Sequence, residues 1–173
     1  TVTVRRVGSR DAALAPISVP LSAGIPTEVS LGGLPIGVYT VEVVADAPVA
    51  AGVWQAAGFG EGADFAWYMP SPEIDVPSLF AVPAGPPATL TLVNQGDAAA
   101  SVLVADADGS ESFQVDVAPG SSASLPLTRS QVFVLDPGGA SVQAAVSFAG
   151  VSALAGFPVW PADAAAPAMT VYP

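Results

Sequence analysis

The sequence contains no cysteine, no histidine and no lysine, and four arginines stand against 15 Asp and Glu. Without thiol or imidazole there is no Ser-His-Asp triad, no cysteine nucleophile, no His/Cys zinc site and no disulfide framework. A net charge of −11 and a pI near 4.1 argue against nucleic acid as a partner, because phosphate binding draws on clustered cations. Anionic headgroups are repelled for the same reason. The one basic cluster, Arg5, Arg6 and Arg10, reads as a solvated edge near a chain end. A long run free of formal charge lies between Asp136 and Asp163. Gly138, Gly139, Gln143, Pro158 and Pro161 interrupt it, so direct membrane insertion is not expected. Thr1 rather than Met opens the sequence, which suggests a processed or excised part of a longer protein.

What is present points to strands. Hydrophobic residues make up 51% of the chain and mean hydropathy is +0.57, enough for a packed core and too apolar for disorder. The 17 Gly and 18 Pro recur between short apolar runs, the punctuation of strands and turns rather than of long helices. Alternation is strand-like: Phe113, Val115 and Val117 share one face while Gln114 and Asp116 share the other. Residues 38–44 are apolar on both faces, which predicts a central strand. Asp108-Gly109 predicts a tight turn.

The chain also repeats itself. Residues 19–31 match 115–127, with Gly24 over Gly120; 37–41 match 131–135, 47–53 match 140–146, and 76–83 match 166–173. The unit is on the order of 90 residues, the size of one immunoglobulin-like sandwich. The expected fold is therefore all-β, with two tandem immunoglobulin-like β-sandwich units, 1–83 and 84–173, divided at the Pro/Gly-rich run 84–87. In the second unit Leu90-Thr91-Leu92-Val93 precedes Ser101-Val102-Leu103-Val104. The opening Thr1-Val2-Thr3-Val4 corresponds to the later of these, so the expectation is an N-terminally incomplete first unit whose unpaired ladder would be a place for another strand to dock, from the parent chain or a partner. A rival arrangement places Met169 to Tyr172 on that edge.

Leu92-Val93-Asn94-Gln95-Gly96-Asp97, the Val-x-Val-x-x-Gly-x-x-x-x-Leu pattern from 115 to 125, residues 47–54 and Asp64-Phe65-Ala66-Trp67-Tyr68 carry a resemblance. Together they resemble an actinobacterial family of unknown function whose members are Ala/Val-rich, extracytoplasmic and often membrane-anchored. The resemblance implies a tandem β-sandwich outside the cytoplasm, and it assigns no catalytic or ligand residues.

Three groups are candidates for chemistry. Trp54, Phe59, Phe65, Trp67 and Tyr68 gather around Gly58, Gly60 and Gly62, in a loop longer than its counterpart in the second unit. Trp54, Phe59, Trp67 and Tyr68 form a candidate aromatic platform for sugar rings, and the competing reading makes Trp54 and Trp67 inter-sheet core residues. Asp106, Asp108 and Glu111 have a spacing suited to hard oxygen ligands for calcium, though the run lacks the later ligands of a calcium loop. Glu61, Asp64, Glu73 and Asp75 are the carboxylates from which a glycosidase pair would be drawn, against the plain reading of a scattered acidic surface.

The leading expectation is a non-catalytic structural or interaction module of a cell-envelope protein, extracellular or cell-surface, with no cofactor, and an envelope protein or cell-surface polysaccharide as partner. A carbohydrate-binding module is the first alternative and a glycoside hydrolase the second.

Overall fold

The computed structural model describes residues 1–58, 60–127 and 130–162, and among these the chain is all-β with no helix. The strands are β1 (Val2–Arg6), β2 (Tyr39–Val43), β3 (Val53–Ala56), β4 (Phe65–Tyr68), β5 (Glu73–Ile74), β6 (Ser78–Ala81), β7 (Ala88–Asn94), β8 (Ala100–Asp106), β9 (Ser112–Val117), β10 (Ser121–Leu127), β11 (Val132–Asp136), β12 (Val142–Ala149) and β13 (Leu154–Pro158).

Two of the sheets form a sandwich. One runs β10-β7-β12-β13, with β5 also on β12, and the other runs β6-β11-β8-β9; every pairing is antiparallel. Strict alternation drives this assembly. In β7, Ala88, Leu90, Leu92 and Asn94 point inward, and in β12 Val142, Ala144, Val146 and Phe148 do the same. They meet Val102, Val104, Phe133 and Leu135 of the facing sheet in one continuous core, where Phe80 and Phe133 stack with centroids 5.3 Å apart. Full burial of each such aliphatic side chain contributes roughly 1.5–3 kcal/mol.

Among the described residues, Asn94 is the one polar residue that ranks with the largest fully buried side chains. Its Nδ2 donates to the carbonyls of Ala98 (2.8 Å) and Val117 (3.0 Å), and its Oδ1 accepts from the Gly96 amide (2.9 Å). The Asn-Gln-Gly-Asp motif thus shapes the turn from β7 to β8 and ties it to β9. Gly138 shapes a second connection, between β11 and β12: its φ is +63°, and a Cβ there would stand 2.9 Å from the Ser101 carbonyl oxygen.

The run at 84–87 links β6 to β7, one strand in each sheet of the sandwich, while β5 and β6, which precede it, pair with β12 and β11. The division drawn at 84–87 on Pro/Gly content thus moves upstream of Glu73; Pro and Gly mark a crossover between sheets as readily as a linker. The residues ahead of Glu73 form two two-stranded sheets, β1-β2 and β3-β4. Among the described residues they contribute Val4 and Ala66 alone to the buried hydrophobic residues. Of residues 38–44, read as a central strand, Tyr39–Val43 form β2, which pairs with β1 alone among the described residues and is largely half-buried.

The repeat is visible in three dimensions. Val4 pairs with Val41 and Arg6 with Tyr39, just as Val104 pairs with Leu135 and Asp106 with Phe133, so β1-β2 reproduces β8-β11 in the same register. The open edge expected on β1 is taken by the chain itself: Val2 exchanges backbone hydrogen bonds with Ile17 (2.8 and 2.9 Å), and the Ala13 amide donates to Val4. Arg5, from the basic cluster, reaches across to Glu42 at 2.7 Å. This half-exposed pair contributes at most about 1 kcal/mol. The rival strand, Met169 to Tyr172, lies outside the described residues.

Asn94→Ala leaves the carbonyls of Ala98 and Val117 without their donor inside the core. Urea denaturation is expected to show a loss of about 1–3 kcal/mol, with Asn94→Asp more damaging because it buries a charge in place of a donor.

Candidate functional site

Two strands can bury only one face, and the β3-β4 hairpin shows which. Val53 pairs with Tyr68, Trp54 with Trp67, Gln55 with Ala66 and Ala56 with Phe65. Cross-strand partners share a side, so Trp54, Trp67 and Phe65 lie on one face, while Val53, Gln55, Ala66 and Tyr68 lie on the other. The second face turns inward: Ala66 is buried, and the Tyr68 ring sits over Gly156 of β13. A Cβ at Gly156 would come within 2.5 and 2.7 Å of that ring, a contact only glycine permits. Gly156 pairs with Ser147, on the side of β12 away from the core, so the hairpin rests on the outside of the sandwich. Asp64 secures it there by accepting the Leu154 amide at 2.7 Å.

The first face is left in solvent. Trp54 is 54% exposed, Trp67 59% and Phe65 57%, and neither strand carries a formally charged residue. The core reading of the two tryptophans is thereby corrected: they are directly opposed on an outward face. Tyr68, placed in the platform on composition, belongs to the opposite face and anchors the hairpin. Phe65 completes the outward face, and the signal that could have found it is period-2 spacing from Trp67. Phe59 lies outside the described residues.

Burial raises the Tyr68 phenol above its ordinary pKa near 10. Asp64 is engaged by Leu154, Glu73 accepts from Ser141 Oγ at 3.3 Å on the β5-β12 pairing, and Asp75 is exposed. Glu61 lines a shallow open hollow of about 240 Å³ with Ala57, Gly58, Gly62, Ala63 and Ser152, and it is the one acid among those lining residues.

The 106–111 run forms the turn of the β8-β9 hairpin, as Asp108-Gly109 predicts, with Gly109 at φ +76°. Ser110 donates its hydroxyl to Asp106 Oδ2 (2.7 Å) and its amide to Asp108 Oδ1 (2.9 Å), and the Asp106 amide donates to the Glu111 carbonyl (2.9 Å). Among the described residues no group of three acidic side chains is arranged to hold a metal ion. In this turn the carboxylates of Asp106 and Asp108 both accept from Ser110, the local bonding that short acidic side chains favour in tight turns.

A family model described as a family of unknown function, DUF5719, matches residues 1–128. This chain belongs to that family. The DUF5719 match spans both small sheets, the whole aromatic face and the sandwich as far as β10. Comparison with curated proteins and with solved structures finds no match. Among the described residues no helix is long and apolar enough to cross a membrane.

The internal repeat of this DUF5719 member isolates the aromatic face further. Val53 matches Val146, so Trp54 stands where the second half has Ser147. The pairings Trp54 to Trp67 and Ser147 to Gly156 then set Trp67 against Gly156. The fold accepts serine and glycine at these positions, so packing within the unit does not require the tryptophans.

Two outcomes are expected. Gly156→Ala should destabilise the chain by about 1–3 kcal/mol, with Tyr68→Ala relieving much of the loss in a double-mutant cycle followed by thermal unfolding. In alkaline titration the Tyr68 phenol is neutral both folded and unfolded below about pH 10, and above it the unfolded chain ionises first. Stability should therefore fall as pH rises through the raised value. Phenolate absorbance against Tyr68→Phe identifies the group.

Proposed function

We propose that this DUF5719 member is a non-catalytic, extracellular interaction module of a cell-envelope protein, and that the face bearing Trp54, Phe65 and Trp67 is its contact surface. The observation that carries this reading is the exposure of two opposed tryptophans at positions where the repeat uses serine and glycine. Large aromatics left in water contribute nothing to the core and add an aggregation liability, so a bound partner is the economical reason to keep them. A non-catalytic role is supported by the lack of His and Cys and by the engagement of Asp64 and Glu73 in separate structural contacts. The envelope setting rests on the motif resemblance drawn from the sequence.

Within this reading the favoured ligand is a cell-surface polysaccharide. An exposed, uncharged aromatic face suits the C–H faces of sugar rings, and with a chain charge of −11 it suits neutral sugars better than anionic ones. A thermal-shift screen against cell-envelope polysaccharides, with calcium and chelator arms, tests it. Ligand at a hundredfold excess over Kd stabilises the native state by about 2.7 kcal/mol, a Tm rise of several degrees. The rise should saturate with one glycan, vanish in a folded Trp67→Ala variant, persist in Tyr68→Phe and be the same in both metal arms. No shift with any glycan, or one unchanged in Trp67→Ala, overturns the carbohydrate reading.

A further inference from the structure

The outward face of the β3-β4 hairpin has a shape as well as a composition. Along β4, Phe65 and Trp67 stand two residues apart on the solvent side, and the chain continues this line beyond the last paired residue. A Cβ at Gly52 would lie 3.7 Å from Cε3 of Trp67 and 3.8 Å from Sδ of Met69. Gly52 is two residues ahead of Trp54 and shares its side. Met69, 60% exposed, therefore belongs to the aromatic face beside Trp67.

Phe65, Trp67 and Met69 thus form one row, about 13 Å from end to end at the strand rise. The other strand adds bulk only at the centre: Trp54 opposes Trp67, while Ala56 opposes Phe65 and a glycine stands beside Met69. With cross-strand neighbours about 5 Å apart, the face is longer along β4 than it is wide. It is also poor in polar groups. Gln55 lies on the opposite side, and the two indole N–H groups donate without accepting. Such a face engages the C–H faces of rings rather than a pattern of hydroxyls, and it holds a ligand in proportion to the rings that cover it.

We infer that the site takes an extended, ribbon-shaped neutral glycan of several linked pyranose rings, lying along β4 with Phe65, Trp67 and Met69 as successive stacking positions and Trp54 widening the middle one. The inference rests on the carbohydrate reading and adds the shape and length of the ligand. A single sugar would cover the tryptophan pair and leave both ends of the row in water. A coiled chain would turn away from the row after its first contact. An extended ribbon presents C–H faces along one line and removes the whole row from water.

The test is a titration of the whole chain, followed by tryptophan fluorescence, with β-1,4-linked glucose oligomers of two, four and six units and with α-1,4-linked oligomers of the same lengths. Both series have the same rings and no charge; the β-linked chain is extended and the α-linked chain coils. Because the face does not read hydroxyl patterns, glucose serves as the probe for the class. Affinity in the β series should rise by at least about tenfold from dimer to hexamer, and the α hexamer should bind at least about tenfold more weakly than the β hexamer. Phe65→Ala and Met69→Ala should each weaken the β hexamer by roughly two- to tenfold and flatten the length series. Both side chains are more than half exposed, so an unchanged melting temperature should accompany the loss. Trp160→Phe, which removes a tryptophan outside the hairpin, should leave the series as it is. Equal affinity for dimer and hexamer, equal affinity for the α and β hexamers, or a length series unaltered in both alanine variants overturns the inference while leaving a sugar-binding face in place. Failure of every oligomer to bind overturns it as well, and the polysaccharide screen then decides the carbohydrate reading separately.

Discussion

A β-sheet closes a core only when its central strand is hydrogen-bonded on both edges, and β7 meets that requirement for the whole sandwich. It holds β10 and β12 in one sheet, presents Leu90 and Leu92 to the facing strands, and ends in Asn94, whose amide fixes the path into β8. The contrast within this one chain shows how much rests on it. Residues 73–162 surround β7 and bury a continuous core, whereas the residues ahead of them have similar strands in similar register and bury almost none. Pairing between neighbours makes ladders; it takes a strand with two partners to turn ladders into a layer that covers another layer.

The outward aromatic face follows from the same economy of faces. A lone hairpin has one side to bury, and here Tyr68 against the bare backbone of Gly156 and Asp64 on the Leu154 amide decide which side it is. Period-2 geometry then places Trp54, Phe65 and Trp67 in water together. One small residue in β13 thereby sets the orientation of an aromatic surface on a different hairpin, and the binding reading depends on that orientation.

Much of this was legible in the residues. Alternation in 113–117, the Asp108-Gly109 turn and the repeat pointed to an all-β fold, and the aromatic cluster at 54–68 falls on the β3-β4 hairpin. Boundaries were harder. The 84–87 run looks like a linker because Pro and Gly interrupt strands, yet a crossover inside a sandwich demands the same residues. Tyr68 and Phe65 exchanged roles because composition counts aromatics without assigning a face, and the assignment needs the register. The acidic spacing at 106–111 left a calcium loop and a solvated turn as alternatives, with the later ligands of a calcium loop missing, and in the fold Ser110 donates to the carboxylates of Asp106 and Asp108.

The sequence by itself determined the chemistry available to this protein and the type of its local structure. Without His or Cys, with few cations and with short alternating apolar runs between Gly and Pro, the chain can only form strands around an apolar core and offer carboxylates and aromatics at its surface. Tertiary structure alone decided which strands share a sheet, where the sandwich begins, and that two tryptophans stand in solvent. Alternation specifies that a strand has two faces; which of them meets the core depends on residues distant in sequence, such as Gly156 opposite Tyr68.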